Sequence, residues 1–492
     1  MPLLRNRLSA TLAGGPRQFA EIRDTFIIKA GNDDTTETVT SELTDLGFDV
    51  TELENAPILT AEPEDRIGEV IASVGDVDAE ISEGLDKVRE ARDEDNILDV
   101  ASQTIEATQS VLDAILEIDD VDVAEFVRTE ADFGPANLRL DVQDRDNLSE
   151  RQARSKEANI ETVYENEGLS EAHKITRGEN AISCIFDTAF PEDLIAEERI
   201  VDTFHGDMVD TVYNSSEGHG GMCAGAMAAN AMEEVPFDGI APESRVILVR
   251  ITDDEGQIRG DIITEAWDWL TSLELDRPLV SNHSYGSPIC SGRPKQKFCG
   301  TPINDIISIA TSEPGISAVY ACGNEASRCG RRPSGLTNAI TGTNSISDVF
   351  TVGALLSNGR EAQRYSSHGR GDCAPIADPK PNVSFPIPKT TYYGGRDGWK
   401  LKDLSTGPFG SGGGTSHASP SVAGIITLMQ SKAVEERGEP MEDEEIKRIL
   451  HETAEMPHRN QINSFSFFFS RAGYDSRFGH GKADIVEALE EV

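Results

Sequence analysis

The chain has 492 residues, of which 87 are Asp or Glu and 44 are Lys or Arg, and its formal net charge at pH 7 is −43. The length allows two or more domains with a large core. The charge argues against nucleic acid as a partner, because phosphates would meet a negative surface. No apolar run approaches the length of a transmembrane helix, so no membrane partner is expected.

The predicted elements begin after an N-terminal segment, residues 1–22. Between residues 23 and 85 the apolar pattern predicts the order strand, helix, two strands, helix, strand. The first helix is acidic, has Val39, Leu43 and Leu46 at near-helical spacing, and stops at Gly47. In chain order the predicted elements are Asp24–Ala30, Thr35–Leu46, Phe48–Glu54, Pro57–Ala61, Glu64–Val74 and Val77–Ser82.

Residues 86–156 form an acidic extension in which the helix–strand ending recurs, as Gln109–Leu116 followed by Val121–Thr129. The recurrence leaves open whether this extension is a linker or a second small α+β module. The remaining residues, 157–492, form the predicted main domain, and the candidate functional residues lie in it.

The first candidate, Asp187, ends a short apolar run that starts at Ala181 and predicts a buried parallel strand. A carboxylate at the C-terminal end of such a strand faces the crevice in which open α/β sheets place their sites. The second, His219, lies among small residues that lead into a helix-like run, Ala224–Met232. Taken singly, Asp187 could be a turn or capping residue and His219 an ordinary loop histidine.

The third candidate lies in residues 414–424, Gly-Thr-Ser-His-Ala-Ser-Pro-Ser-Val-Ala-Gly, next to the apolar, helix-forming stretch Ser421–Gln430. This pattern puts Ser416 at a helix N-terminus, where unpaired N–H groups and the helix dipole favour negative charge. A serine hydroxyl is a weak nucleophile unless a base takes its proton and a third group orients that base. His219 and Asp187 are the residue types that these two roles require, although Ser416 alone could be a helix N-cap.

The order Asp187, His219, Ser416 and the residues around them resemble the blocks of the subtilisin-like serine proteases, the subtilases. The resemblance extends over about residues 157–488 in family order. The matching segments are Phe186-Asp187-Thr188, His219-Gly220 with Cys223-Ala224-Gly225, Ser284-Tyr285-Gly286, Tyr320-Ala321-Cys322-Gly323-Asn324, and Gly414-Thr415-Ser416 with Ala418, Pro420, Ala423 and Gly424.

The resemblance implies an α/β fold, a parallel sheet with helices on both faces, preceded by a small ferredoxin-like α+β domain. It implies serine endopeptidase activity through an acyl-enzyme, with Asn324 completing the oxyanion hole and Ser284, Tyr285 and Gly286 pairing with the backbone of a protein or peptide substrate. The chemistry requires no metal or cofactor. Structural calcium is common in the family, but no acidic loop here has the ligand spacing of a calcium site.

Several residues depart from the family pattern. Gly221 and Met222 replace bulkier or polar residues after His219-Gly220, and Tyr285 replaces the usual Leu or Trp, which affects the expected substrate specificity. His417, directly after the nucleophile, is predicted to be a packing neighbour and not a second base. Cys223 lies four residues after His219, so mercurials are expected to inhibit by crowding that histidine.

The N-terminal module resembles the subtilase prodomain, which implies an intramolecular inhibitor removed by self-processing, with the cut expected within Asn147–Asn159. A small α+β domain unrelated to inhibition is the alternative. The whole chain could also be a catalytically silent homologue that acts as a scaffold or virion component, or a serine hydrolase of non-peptide substrates. The extended strand Ser284–Gly286 favours peptides.

The acidic surface, in which arginine outnumbers lysine, resembles that of proteins adapted to high salt, as in haloarchaea and their viruses. No signal peptide is recognisable at the N-terminus, which favours a cytoplasmic or particle-associated protein over a secreted one. The seven cysteines leave the compartment open. Cys290 with Cys299 and Cys322 with Cys329 are close enough in sequence to form disulfides, or all seven could be reduced.

Overall fold

A computed structural model describes most of residues 159–492 and short parts of the chain before them. Before residue 159 the described residues are 25–30, 39–41, 43–44, 48–52, 58–63, 121–127 and 134–135. Within 159–492 the residues not described are 208, 215–217, 232–236, 254–255, 287–298, 325, 327–339, 370, 372, 375–377, 389, 394–399, 404–413 and 457–472.

The chain divides into two compact units. The first unit comprises Met1–Phe133, Gln257–Leu273 and Gly300–Ile309. The second comprises Gly134–Gly256, Glu274–Cys299 and Ala310–Val492.

The first unit contains a four-stranded antiparallel sheet in the order β2-β3-β1-β4. Its strands are β1 (Thr25–Ala30), β2 (Phe48–Glu52), β3 (Ile58–Pro63) and β4 (Val121–Val127). The first three confirm predicted strands to within two residues. The fourth strand of this sheet comes from the extension predicted at 86–156, whereas the predicted strand Val77–Ser82 lies outside the described residues.

The second unit is built on a seven-stranded parallel sheet in the order β13-β12-β11-β9-β6-β8-β7. Its central strands β6, β9 and β11 are buried at every position, as the near-continuous apolar runs predict. The sheet strands are β6 (Ile182–Asp187), β7 (Ile200–His205), β8 (Arg245–Arg250), β9 (Leu279–His283), β11 (Ile316–Ala321), β12 (Phe350–Leu355) and β13 (Val383–Pro386).

Two short antiparallel pairs accompany this sheet. One joins β5 to β10, and the other joins β14 to β15. The bounds of these strands are β5 (Gly134–Pro135), β10 (Tyr285–Gly286), β14 (Thr390–Tyr393) and β15 (Lys400–Asp403).

Helices flank the parallel sheet, which confirms the predicted α/β class. The longest helix, α6, packs on strands β9, β11 and β12. Its residues Val422, Ile425 and Ile426 are each 0% exposed, and burying each such side chain contributes about 1.5–3 kcal/mol. Within the described part of the chain from residue 159 onward, the helices are α1 (Ile160–Asn166), α2 (Leu169–Ala172), α3 (His219–Ala228), α4 (Gly260–Ser272), α5 (Pro302–Ser312), α6 (Thr415–Arg437), α7 (Asp443–Thr453) and α8 (Ile485–Glu490).

The cysteines differ from the expected pairing. Cys299 forms a disulfide with Cys373, 74 residues away in sequence, and Cys322 is a buried free thiol. The proposed Cys290–Cys299 and Cys322–Cys329 pairs are therefore wrong, because the fold brings Cys373 and not a sequence neighbour to Cys299. Among the described residues no helix is long and apolar enough to cross a membrane.

Candidate active site

The site lies at the carboxyl ends of three adjacent strands, β6, β9 and β11. Asp187 is the last residue of β6, Ser284 follows β9 directly, and Asn324 follows β11 by three residues. Parallel strands present their carboxyl ends at one edge, so the order of the sheet brings these three side chains together.

Asp187 and His219 form a buried pair. His219 Nδ1 lies 2.7 Å from Asp187 Oδ1, and the two residues are 7% and 2% exposed. Asp187 Oδ1 also accepts a hydrogen bond from Thr188 N, which fixes the carboxylate at the strand end. Because the carboxylate accepts a hydrogen bond from Nδ1–H, the second ring nitrogen, Nε2, carries no hydrogen and can accept a proton. This is the tautomer that a general base needs.

His219 is the first residue of α3, whereas the sequence placed it in a loop before a helix at Ala224. The small residues after His219 allow this earlier start because α3 is packed closely. A Cβ at Gly220 would lie 2.5 Å from the carbonyl oxygen of Ala189, so only glycine fits there. All ten residues of α3 are buried, and the helix holds His219 in a fixed position.

Ser416 is the second residue of α6 and is 2% exposed. Its backbone N–H therefore belongs to the first turn, where no carbonyl of the helix can accept it. Its hydroxyl donates to the carbonyl oxygen of Ser284 at 3.2 Å. His219 Nε2 has no hydrogen-bond partner among the described residues, so the Ser416 hydroxyl would have to rotate away from Ser284 to reach the imidazole.

The carbonyl of Ser416 accepts hydrogen bonds from two other segments of the site. Pro420, inside α6, has no N–H to donate to this i−4 carbonyl. The carbonyl instead accepts from the Ser284 hydroxyl at 3.1 Å and from the Cys223 thiol at 3.3 Å. Cys223 Sγ lies 3.9 Å from His219 Nδ1, so the thiol bridges the base and the backbone of the nucleophile. Burial, with Asp187 nearby, raises the pKa of Cys223 well above its usual value.

Asn324 lies against the start of α6. Its Oδ1 accepts from the backbone N of Thr415 at 2.9 Å and from the Thr415 hydroxyl at 3.1 Å, which leaves Nδ2 as the donor end of the amide. Gly414 has a φ of 59°, and a Cβ there would lie 2.8 Å from Asn324 Nδ2. Glycine is therefore needed both for the backbone conformation and for the close approach of this amide.

The expected substrate strand pairs with another strand of its own unit, β5. Tyr285 and Gly286 pair antiparallel with Pro135 and Gly134 respectively. Asn344, which the sequence analysis did not single out, donates its amide to the carbonyls of Tyr285 (2.8 Å) and Ala321 (2.7 Å). Tyr285 itself is 4% exposed, so its ring faces inward.

His417 is fully buried beside the ring of Tyr164, and burial lowers the pKa of His417 to about 4. This agrees with a packing role. Among the described residues, one group of three metal-ligating side chains occurs, Asp187, His219 and Cys223, with ligand atoms within 4.8 Å. The thiol and imidazole of this group suit a soft ion, so the group is not a calcium site. Structural calcium elsewhere in the chain stays a prediction.

A parallel α/β sheet carrying an Asp–His pair, a serine in the first turn of a helix and an asparagine beside it defines the subtilisin-like class of serine peptidase folds. The comparison with protein families agrees: residues 108–481 match the subtilase family, peptidase S8. The chain belongs to this family.

Individual relatives are distant. The chain is 28% identical to subtilisin of Bacillus pumilus over 220 residues, which are 45% of this chain and 66% of that protein. It is 27% identical to subtilisin E of Bacillus subtilis strain 168 over 220 residues, 45% of this chain and 47% of that protein. The chain thus spans between about half and two thirds of the length of these relatives. Among solved structures, the prenylagaramide maturation protease PagA superposes with a TM-score of 0.47 and 20% identity, covering 66% of this chain and 98% of that one.

Proposed function

We propose that this chain is a serine endopeptidase. The observation that carries the proposal is the buried Asp187–His219 pair, 2.7 Å apart, joined through the Cys223 thiol to the backbone of Ser416. A structural core would gain little from burying an ionisable pair at the end of a strand, whereas nucleophilic catalysis needs it there.

In the proposed mechanism Ser416 Oγ attacks the peptide carbonyl carbon while His219 Nε2 accepts the hydroxyl proton. Asp187 orients the imidazole and stabilises the imidazolium. The backbone N–H of Ser416 and the Asn324 amide stabilise the oxyanion. His219 then protonates the leaving amine, and water hydrolyses the acyl-enzyme through the same base. The residues involved require no metal or cofactor for these steps.

The proposed substrates are proteins and peptides that bind as an extended strand along Ser284, Tyr285 and Gly286. The pairing of Gly134–Pro135 with this strand supports the proposal, because it is the kind of backbone pairing that a substrate would make. The Tyr285 carbonyl is bonded to Asn344 and so turns away from the paired strand. Pro135, which lacks an N–H, therefore sits at a position where none is needed.

We also propose that the N-terminal part acts as an intramolecular inhibitor and is removed by self-cleavage. The sheet order β2-β3-β1-β4 is that of the ferredoxin-like fold, which supports a prodomain. Antiparallel register advances by one residue at a time, so the partner of Ser284 would be the residue after Pro135, Ala136. We therefore propose a cut after Ala136 in place of one within Asn147–Asn159, a stretch that lies outside the described residues apart from Asn159.

The test is intact mass of the purified protein in molar salt over time, wild type beside Ser416→Ala. Loss of residues 1–136 from the wild type, with the variant whole, would support the nucleophile and the cleavage site together. A cut within 147–159 would support self-processing and reject the register argument. If neither protein is cut, hydrolysis of casein decides whether the peptidase proposal survives, and a small ester beside casein tests the non-peptide hydrolase.

A catalytically silent homologue is the second candidate, and one observation favours it. The Ser416 hydroxyl donates to Ser284 O and not to His219 Nε2. Labelling of the wild type by a fluorophosphonate, absent from Ser416→Ala, would reject this candidate. The net charge of −43 further supports adaptation to high salt, so every assay belongs in molar salt.

A further inference from the structure

A buried polar chain runs behind the substrate strand. Ser281, His283 and Tyr285 alternate along β9 and β10, so their side chains share one face. They are 0%, 0% and 4% exposed. Neither His283 nor Ser281 is a part of the proposed catalytic machinery, and Tyr285 departs from the family pattern.

The hydrogen bonds of this chain fix the tautomer of His283. The Ser281 hydroxyl donates to the carbonyl oxygen of Ser317 at 3.2 Å, so it accepts from His283 Nε2–H at 2.9 Å. His283 Nδ1 is then the acceptor for the Tyr285 hydroxyl at 2.8 Å. Burial lowers the pKa of His283 well below its usual value, which keeps Nδ1 able to accept.

Two aromatic rings hold the imidazole from either side. Phe186 on β6 and Tyr320 on β11 are the direct strand neighbours of His283. The Tyr320 ring stacks on the imidazole with centroids 4.2 Å apart and planes 8° apart, and the Phe186 ring lies 4.5 Å away. Phe186 immediately precedes Asp187, so the same row of rings connects the triad carboxylate with the substrate strand.

Tyr285 is thus held at two points. Its hydroxyl is bound to His283 and its carbonyl to the Asn344 amide, both on the inner side of the strand. Backbone groups alternate in direction along a strand, so those of Ser284 and Gly286 face the opposite side, toward the paired strand. A shift of Tyr285 would displace both of these neighbours.

We infer that the side chains of His283 and Tyr285 position the strand for extended substrates, which they support from behind the strand without themselves touching the substrate. This inference rests on the proposed peptidase function. It predicts that replacing either residue slows the hydrolysis of long substrates, which pair with the strand, more than that of short substrates, which do not.

The test compares Tyr285→Phe, His283→Met and the double variant, each in molar salt. Tyr474→Phe is the matched control, because its hydroxyl donates to the Lys380 carbonyl at 2.8 Å, in a buried contact outside the site. Each protein is assayed with a tetrapeptide p-nitroanilide, which covers the strand, and with a single-residue ester, which does not. Thermal unfolding midpoints identify variants that fail to fold. Tyr285→Phe removes only the hydroxyl group and is therefore expected to fold.

For each single variant we expect KM for the tetrapeptide to rise, and kcat/KM to fall roughly tenfold further than for the ester. Tyr285→Phe loses one buried hydrogen bond, to His283, and His283→Met loses two, to Tyr285 and to Ser281. The double variant removes both polar partners and should regain part of this loss. Equal losses on both substrates, no loss, or the same split in Tyr474→Phe would overturn the inference while leaving the peptidase proposal intact. A wild type that hydrolyses neither substrate and resists fluorophosphonate would overturn both.

Discussion

Replacing Asn324 separates two roles that its amide has in the proposed mechanism. Oδ1 accepts two hydrogen bonds from Thr415, at 2.9 and 3.1 Å, and supports the start of α6. Nδ2 is the proposed donor to the oxyanion. Asn324→Ala removes both functions, whereas Asn324→Asp keeps an acceptor for Thr415 and replaces the donor by a carboxylate oxygen.

The expected magnitudes differ between stability and turnover. Loss of one oxyanion donor costs about 10²–10³ in kcat, and we expect this loss in both variants with KM changed little. Loss of the two hydrogen bonds to Thr415 costs about 1–3 kcal/mol of unfolding free energy, and we expect it chiefly in Asn324→Ala. The measurements are kcat and KM on a tetrapeptide p-nitroanilide and urea unfolding, both in molar salt.

Asn324→Asp is the informative control because it changes the donor while keeping the acceptor in place. If its kcat stays within about threefold of wild type, far below the loss of an oxyanion donor, the amide does not stabilise the oxyanion. If kcat falls only in Asn324→Ala, together with stability, Asn324 supports α6 and has no direct part in catalysis.

Three further predictions concern other parts of the chain. Mercurials should inhibit by binding Cys223, whose Sγ lies 3.9 Å from His219 Nδ1. Inhibition should be slow, because the thiol is buried and its pKa is raised. Full resistance of the wild type, identical to that of Cys223→Ser, would contradict this. The stacked imidazoles of His451 and His480 are partly buried, and the resulting desolvation lowers the pKa of both, that of His451 to about 3. The unfolded chain then binds protons that the folded chain does not, so the free energy of unfolding should fall below about pH 6.5, by up to about 1.4 kcal/mol per pH unit for each histidine, and less in His451→Phe. An equal slope in both proteins would refute this. At a net charge of −43 like charges repel one another, and salt screens that repulsion. Raising KCl from roughly 0.1 to 2 M, over which the screening length becomes short, should therefore raise the midpoint temperature of unfolding. An unchanged midpoint would reject salt adaptation.

The sequence was sufficient for the strand that carries Asp187 and for the helix start that carries Ser416, because both depend on local pattern. A fully apolar run before a carboxylate predicts a buried parallel strand, and the structure has it at Ile182–Asp187. The close approach of Asn324 to Gly414, before this helix start, was not predicted. The three predicted strands of the N-terminal sheet follow from local apolar alternation in the same way.

Two of the contacts that the sequence did not predict join residues distant along the chain. Asn344 reaches Tyr285, 59 residues away, and Cys299 bonds Cys373, 74 residues away. Neither separation leaves a periodic signal, because the partners come together only when the sheet has formed. Because Tyr285 departs from the family pattern, the sequence left the specificity of this strand open. The structure turns the ring inward because His283, two residues before it, offers a buried acceptor.

Pro420 illustrates why the separate blocks of the site depend on one another. A helix of average sequence would satisfy the Ser416 carbonyl from the N–H four residues later, and no other segment would be needed there. Proline at that position leaves the carbonyl to the Ser284 hydroxyl and the Cys223 thiol. Ser284 and Cys223, which lies in α3 with His219, are therefore hydrogen-bonded to the backbone of Ser416, the proposed nucleophile. Because an unpaired buried carbonyl is costly, a change in any of the three segments is transmitted to the other two, and the site acts as one structural element.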